Sequence, residues 1–390
     1  MIICQDIPSD AEVDDDLVEA SIDFGDEQSS AAELFEMAKD QQQQGEAAAV
    51  IQKLLEAALE QFEKEDKAAA GAGAGADASA DTIFKYQFGS CLLELAGTVL
   101  HKPYAERAVE VFKSALGGAT AGAGAGAGEG GGGGGGGGGA DEDGKGAIEV
   151  ADLLEAQAHA WLEIARIEIL MDDDDDDDAD AEDTAEDTSE AGGAAVAKAA
   201  ELHQQCVGAV VGTEEQVAKQ LGFSQQLQRC AEDVKDDPDA AAALLEQAVV
   251  YAKAAIALAP ADKAALQQHG ACLNSLGKVV EDEAAQIKCF TDAVAQLRAA
   301  AGNSADPEAE AANMQLLSSA LLQLGQRTTD DEAAEELLGE GFELLEKAAA
   351  ANPSNAALQH FMAQLSAQQG GDGEDGEDGG GGANSSGEAA

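Results

Sequence analysis

An all-α fold of stacked helical hairpins is predicted by three observations. Apolar residues recur at helical spacing in one segment after another, small residues return at matching places, and prolines stand where one helix ends and the next begins. The stretch Ala248–Leu276 carries all three, reading as the end of one helix, a turn at Pro260 and the start of a second helix. Counting back from Pro260, Ala248, Ala252 and Ala255 face the partner helix; counting forward, Leu266, His269, Gly270 and Leu273 do the same. Small residues have a physical purpose here. Two helices close to about 8–10 Å only where the side chain at the crossing is little more than a methyl group.

These positions follow the tetratricopeptide (TPR) spacing, so the predicted architecture is a TPR-like α-α superhelix, a solenoid with low-complexity insertions. In chain order, residues 1–30 are acidic and without Lys or Arg, and are expected to be disordered. A helical repeat domain is expected over 31–366. Ser30 and Glu33 form a capping box, and helices follow at Ala31–Gln42 and Glu46–Lys64, with Val50, Leu54 and Ala57 in the repeat frame. Residues 68–80 form a flexible insertion, because a glycine costs a helix about 1 kcal/mol relative to alanine. In the next hairpin Gly89 marks the first helix, and Ala108, Phe112 and Ala115 mark the second. A Gly/Ala insertion covers 117–146.

Ile148–Met171 is the most apolar helix, with Trp161 in a partial repeat pattern. An acidic insertion, 172–193, follows, and helix resumes over Ala194–Val211. Glu214–Val234 reads as helical with a weak apolar face. Pro238 opens the helix leading to Pro260, Ala285–Ala300 closes the next repeat with Phe290 and Ala293, and Pro307 starts a further pair. Pro353 restates the frame of Pro260, and Leu358, Phe361, Met362 and Leu365 make a last helix covering the end of the array. Residues 367–390 form a disordered acidic tail.

Composition narrows the functions. Aromatic residues are 4% and much of the 45% apolar content is alanine, which suits a thin, elongated helical core. With 21 Lys+Arg against 77 Asp+Glu the formal net charge is −56, which repels nucleic acid and anionic membrane and favours a basic protein or peptide partner. The six cysteines are scattered and read as buried, reduced thiols. The acidic N-terminus does not resemble a targeting peptide, and no apolar run approaches the roughly 20 residues that span a bilayer. The expected setting is nucleus and/or cytoplasm.

No catalytic, cofactor or metal constellation is present in the sequence. The G-x-G spacing near Gly122 follows no strand, the five histidines lack metal-ligand neighbourhoods, and the aspartate run lacks the Gly and terminal Glu of a calcium loop. His269 stands where the repeat pattern usually has Leu and is expected to be a packed, satisfied core histidine. The functional candidate is the acidic insertion: Asp172, Asp173, Asp174, Asp175, Asp176, Asp177, Asp178, Asp180, Glu182 and Asp183. Two readings stand, a solubilising loop and a tether that raises the encounter rate of a basic partner.

The segments Glu33–Phe62, Ile83–Gly97, YAERAVEVFKSAL from Tyr104 and Glu155–Ile169 resemble the TPR-like proteins called enhancers of translation termination. That resemblance implies a nuclear, all-helical adaptor that promotes stop-codon recognition and can hold a prolyl-hydroxylase-type dioxygenase. FGSCLLELAG from Phe88 and the acidic interruption are also similar to NASP-type histone chaperones, which implies binding of H3-H4-type basic partners. Both make the chain a non-enzymatic protein-interaction module.

Overall fold

The computed structural model describes residues 29–45, 47–71, 78–125, 148–172, 188–302, 307–356, 358–360 and 362–363. Among them every regular element is helical, and helices adjacent in sequence pair in antiparallel hairpins, an all-α helical repeat solenoid. The chain divides into two compact units, Met1–Ile167 and Glu168–Ala390.

The first unit holds α1 (Ala31–Gln43), α2 (Ala48–Gly71), α3 (Ala78–Val99), α4 (Lys102–Ala125) and α5 (Val150–Asp172) through Ile167. Ser30 caps α1: its hydroxyl accepts from the Glu33 N–H, while the Glu33 carboxylate accepts from the Ser30 N–H at 2.8 Å. Gly45, at φ +75°, takes the left-handed turn that the helix reversal requires. Phe62 of α2 stacks on Phe88 of α3, ring centroids 5.5 Å apart, and Cys91 sets its thiol against the Leu55 carbonyl. The α3–α4 crossing is the closest approach here. A Cβ on Gly89 would lie 2.6 Å from Phe112 Cε1, with Ala108 and Phe112 fully buried beside it. At the end of α3 the His101 N–H reaches back to the Ala96 carbonyl, and Leu100 takes the left-handed position (φ +49°) that glycine usually fills.

The second unit holds α6 (Thr188–Ala209), α7 (Thr213–Asp233), α8 (Pro238–Leu258), α9 (Lys263–Val279), α10 (Glu283–Ala300), α11 (Pro307–Arg327) and α12 (Asp331–Ala351). Pro238 opens α8 behind an Asp237 cap, and Asp262, Asp282 and Asp330 cap α9, α10 and α12 through their carboxylates. Pro260 and Pro353 both occupy turns directly after a helix. Ala248, Ala252, Ala255 and Gly270 are buried as the spacing predicts. Each hairpin crossing uses a small residue differently. A Cβ on Gly270 would meet Leu297 Cγ at 2.6 Å and the Ala293 carbonyl at 3.3 Å. At the same place in the flanking hairpins a serine donates across the gap, Ser224 to the Ala248 carbonyl at 2.8 Å and Ser318 to the Gly341 carbonyl at 2.7 Å.

Several expectations need correction. α2 runs on to Gly71, α4 continues through Gly117 and Gly118 to Ala125, and α6 begins at Thr188, so helix enters all three expected insertions. Once a helix is nucleated each further residue adds a hydrogen bond, and alanine-rich sequence carries it past isolated glycines. α7, read as weakly apolar, buries Val217, Phe223, Ser224, Leu227, Cys230 and Ala231 and is central to its unit. α8 is long and apolar enough to span a bilayer on length and composition alone, contrary to the expectation that no run is. It packs between α7 and α9, with Leu244, Leu245, Ala248, Tyr251 and Ala252 buried. Of the last helix, Leu358 and Met362 pack on Leu345, Ala348 and Ala349, while Phe361 and Leu365 lie outside the described residues.

Candidate functional site

Asp173 to Asp178, Asp180, Glu182 and Asp183 lie outside the described residues; Asp172 is the last residue of α5. Trp161 is half-buried on α5, whose Ile164 and Ala165 are buried. Two other arrangements of polar side chains come from the helices themselves.

The first lies in the second unit. The leading helices of its hairpins touch in series, α7 against α9 and α9 against α11. Gln228 of α7 donates to Ser275 of α9 at 3.4 Å, and Asn274 of α9 donates to Ser319 of α11 at 3.3 Å. Beneath that line a buried network joins α7, α8 and α9. Gln268 donates to Gln228 Oε1 at 3.0 Å and to the Ser224 hydroxyl at 3.4 Å, and Cys272 sits beside all three. Such groups cost about 1–3 kcal/mol when buried without a partner, so the network specifies how these helices meet. Burial pushes the Cys272 thiol up to about 11, although Ser224 and Gln268 oppose the rise, and this removes it from nucleophilic chemistry. Two turns of α7 and α9 further on, desolvation lowers the Lys278 ammonium from its ordinary value and Glu232 opposes the shift.

The second arrangement lies in the first unit. Arg166 donates through Nε to Glu163 Oε2 at 3.0 Å and through Nη2 to the Gly97 carbonyl at 3.3 Å, tying α5 to α3. A Cβ on Gly97 would lie 3.2 Å from Glu163 Oε1, so the glycine makes room for the pair. Desolvation raises the neighbouring Glu94 carboxyl above its ordinary value; Glu163 adds to the rise, while Lys39 and a hydrogen bond from Gln42 oppose it. This cluster holds helices together by charge, and its partners are already supplied within the chain.

His269 is a correction. It is half-buried, and its Nδ1 has no hydrogen-bond partner, so it is not a satisfied core histidine. Desolvation lowers its pKa, with Gln296 and Asp292 opposing and Lys253 assisting. The core histidine is His203, fully buried, its ring stacked on Phe223 at 4.2 Å and edge-on to Tyr251 at 5.0 Å. Sequence reasoning missed that role because its ring neighbours come from α7 and α8. Among the described residues Cys91, Cys206, Cys230 and Cys272 are buried free thiols and Cys289 is half-buried. No group of three or more His, Cys, Asp or Glu among the described residues is placed to hold a metal ion.

No protein-family model matches the chain, and no curated protein matches it. Among solved structures it is similar to the S. pombe nuclear import adaptor Nro1. One Nro1 structure gives 13% identity and a TM-score of 0.39, covering 83% of this chain and 93% of that one. A second gives 14% identity at the same TM-score of 0.39, covering 82% and 89%. A third, of Nro1 described as a hypoxic regulator of sterol synthesis and a nuclear import adaptor, gives 13%, 0.39, 82% and 87%.

Proposed function

We propose that the chain is a non-enzymatic protein-interaction adaptor whose second unit takes up a partner segment along α7, α9 and α11. The observation that carries this reading is the polar line Gln228–Ser275 and Asn274–Ser319, set across three helices whose other contacts are made by alanine and leucine. Amide and hydroxyl groups in series suit an extended peptide, whose backbone presents donors and acceptors at regular intervals. In the finer form of the proposal the adaptor is a nuclear or nucleocytoplasmic regulator of the kind that the enhancers of translation termination represent. Its partner is a basic protein or peptide, drawn in by the acidic insertion and the net charge of −56.

The same charge favours a second reading, an acidic histone chaperone that engages H3-H4-type partners through Asp172–Glu190. A pull-down from cell extract at graded salt separates the two. Release factors or a dioxygenase retained by a chain lacking residues 172–190, and lost from a Ser275→Arg variant, support the adaptor. Core histones dominating the recovery, and lost on the same deletion, support the chaperone and sink the first reading.

A further inference from the structure

The last hairpin leaves one side uncovered, and the repeat register shows what that side would ordinarily carry. Gly270 meets Ala293 in α9–α10 as Ser318 meets Gly341 in α11–α12, and Gly277 meets Phe290 as Gly325 meets Leu338. One offset relates all four pairs, so the two hairpins superimpose residue for residue, and Phe342 takes the place of Val294. Val294 is 5% exposed, sealed in a cluster with Leu317, Ala320 and Leu321 of the helix that follows it. Phe342 is 37% exposed. The segment after α12 packs on Leu345, Ala348 and Ala349, toward the other end of that side.

The surroundings of Phe342 have changed character too. Glu335 stands where α10 has Ile287, and Glu346 where it has Arg298; both glutamates are exposed. Replacing apolar residues with charge is how a terminal repeat stays soluble, and that accounts for the glutamates. It does not account for a phenylalanine, larger than the valine it replaces and left in water. One turn before it, a Cβ on Gly339 would find no atom within 4 Å, so the ring is open on that flank. Of the nearby bases, Lys347 pairs with Glu343 at 3.4 Å, and Arg298 is held by Glu340 across the two hairpins.

We propose that this side of α12, centred on Phe342 and flanked by Glu335 and Glu346, is a docking face for a basic amphipathic helix of another protein. The register supplies the shape, since every inner hairpin receives a helix on this side. The charge supplies the occupant. Lys or Arg on either side of an apolar stripe would meet the two glutamates, which stand about 16 Å apart along the helix at 1.5 Å per residue. A second copy of the chain would bring its own net charge of −56 against carboxylates and be repelled. This face is separate from the α7–α9–α11 line and does not depend on which partner that line takes.

The test uses the full chain and two labelled synthetic 14-residue peptides of equal charge, a Leu/Lys amphipathic helix and a Ser/Lys control, followed by fluorescence anisotropy at fixed salt. The wild type should bind the Leu/Lys peptide at least tenfold more tightly than the control. Phe342→Ser should erase that preference while leaving the control's binding, which reads net charge alone, unchanged. Glu335→Gln combined with Glu346→Gln should weaken the Leu/Lys peptide and flatten its salt dependence, and serves if Phe342→Ser does not fold by circular dichroism. An unaltered preference in a folded variant overturns the proposal. So does a concentration-dependent dimer of the wild type that Phe342→Ser abolishes, which would make the occupant a second copy.

Discussion

Gly89→Ala separates close helix packing from helix propensity, because the two act in opposite directions. Alanine in a helix interior is worth about 1 kcal/mol over glycine, so an open site should gain stability. At Gly89 the new methyl would stand 2.6, 2.8 and 2.9 Å from three carbons of the Phe112 ring. Carbon atoms settle about 3.5–4.0 Å apart, so the overlap is close to 1 Å. The ring cannot swing aside easily, since Phe112 is fully buried and the Tyr86 ring lies 6.0 Å from it. Overpacking of this kind costs about 1–3 kcal/mol. Taking the upper part of that range and subtracting the propensity gain leaves a net loss of about 1–2 kcal/mol. Gly117→Ala is the control in the facing helix, where the added methyl meets nothing within 4 Å and the substitution should stabilise. Urea unfolding followed by helical circular dichroism reads both. Phe112→Leu combined with Gly89→Ala should recover part of the loss, giving a coupling energy of about 1 kcal/mol in a double-mutant cycle. If Gly89→Ala raises the midpoint as Gly117→Ala does, the close approach of α3 and α4 is refuted.

Other outcomes follow from single groups. Ser318→Ala removes the hydroxyl that donates to Gly341 and should cost about 1 kcal/mol in urea, with helix content unchanged. Leu100→Gly relieves a left-handed backbone that a side chain disfavours and should stabilise by about 1 kcal/mol in the same assay. His269 is held below its ordinary value of 6.5, so its contribution is complete above pH 6.5 and falls away as pH drops through the lower folded value. His269→Leu should therefore flatten the loss of stability between pH 7.5 and 5, and an unchanged slope would remove His269 from the account. Burial holds the Cys91 thiol near about 12 and Cys272 near about 11. Iodoacetamide at pH 8 should label half-buried Cys289 in the native chain well before either, as peptide mass spectrometry would show.

What could be read from the sequence was whatever the chain decides locally. Ser30 with Glu33, Pro238 and the turn prolines Pro260 and Pro353 act within a few residues of themselves, and the helices begin or end where they imply. Gly89 with Phe112, and Gly270 with the segment of Ala293, were legible because a repeat pattern carries one crossing to the next. α7 was underestimated because its packing depends on residues that no apolar count includes. Ser224 buries its hydroxyl against the Ala248 carbonyl, and Gln228 reaches Gln268 and Ser275 on α9. A serine at a crossing looks polar in sequence and behaves as a glycine with a hydrogen bond attached.

The candidate surfaces were less legible for the same reason. An exposed side chain is defined by what fails to cover it, and that is a property of the neighbouring repeat. Val294 and Phe342 are both apolar residues on apolar helix faces, and periodicity assigns both to the core. Only the order of the helices separates them, since α11 follows α10 and seals Val294, while the segment after α12 reaches Leu345 and Ala349 and leaves the aromatic ring in water. The polar line across α7, α9 and α11 is likewise spread over three segments far apart in sequence, each contributing one or two residues. Repeat proteins place their recognition groups where successive units meet, so those groups become visible only when the register of one hairpin is laid on the next.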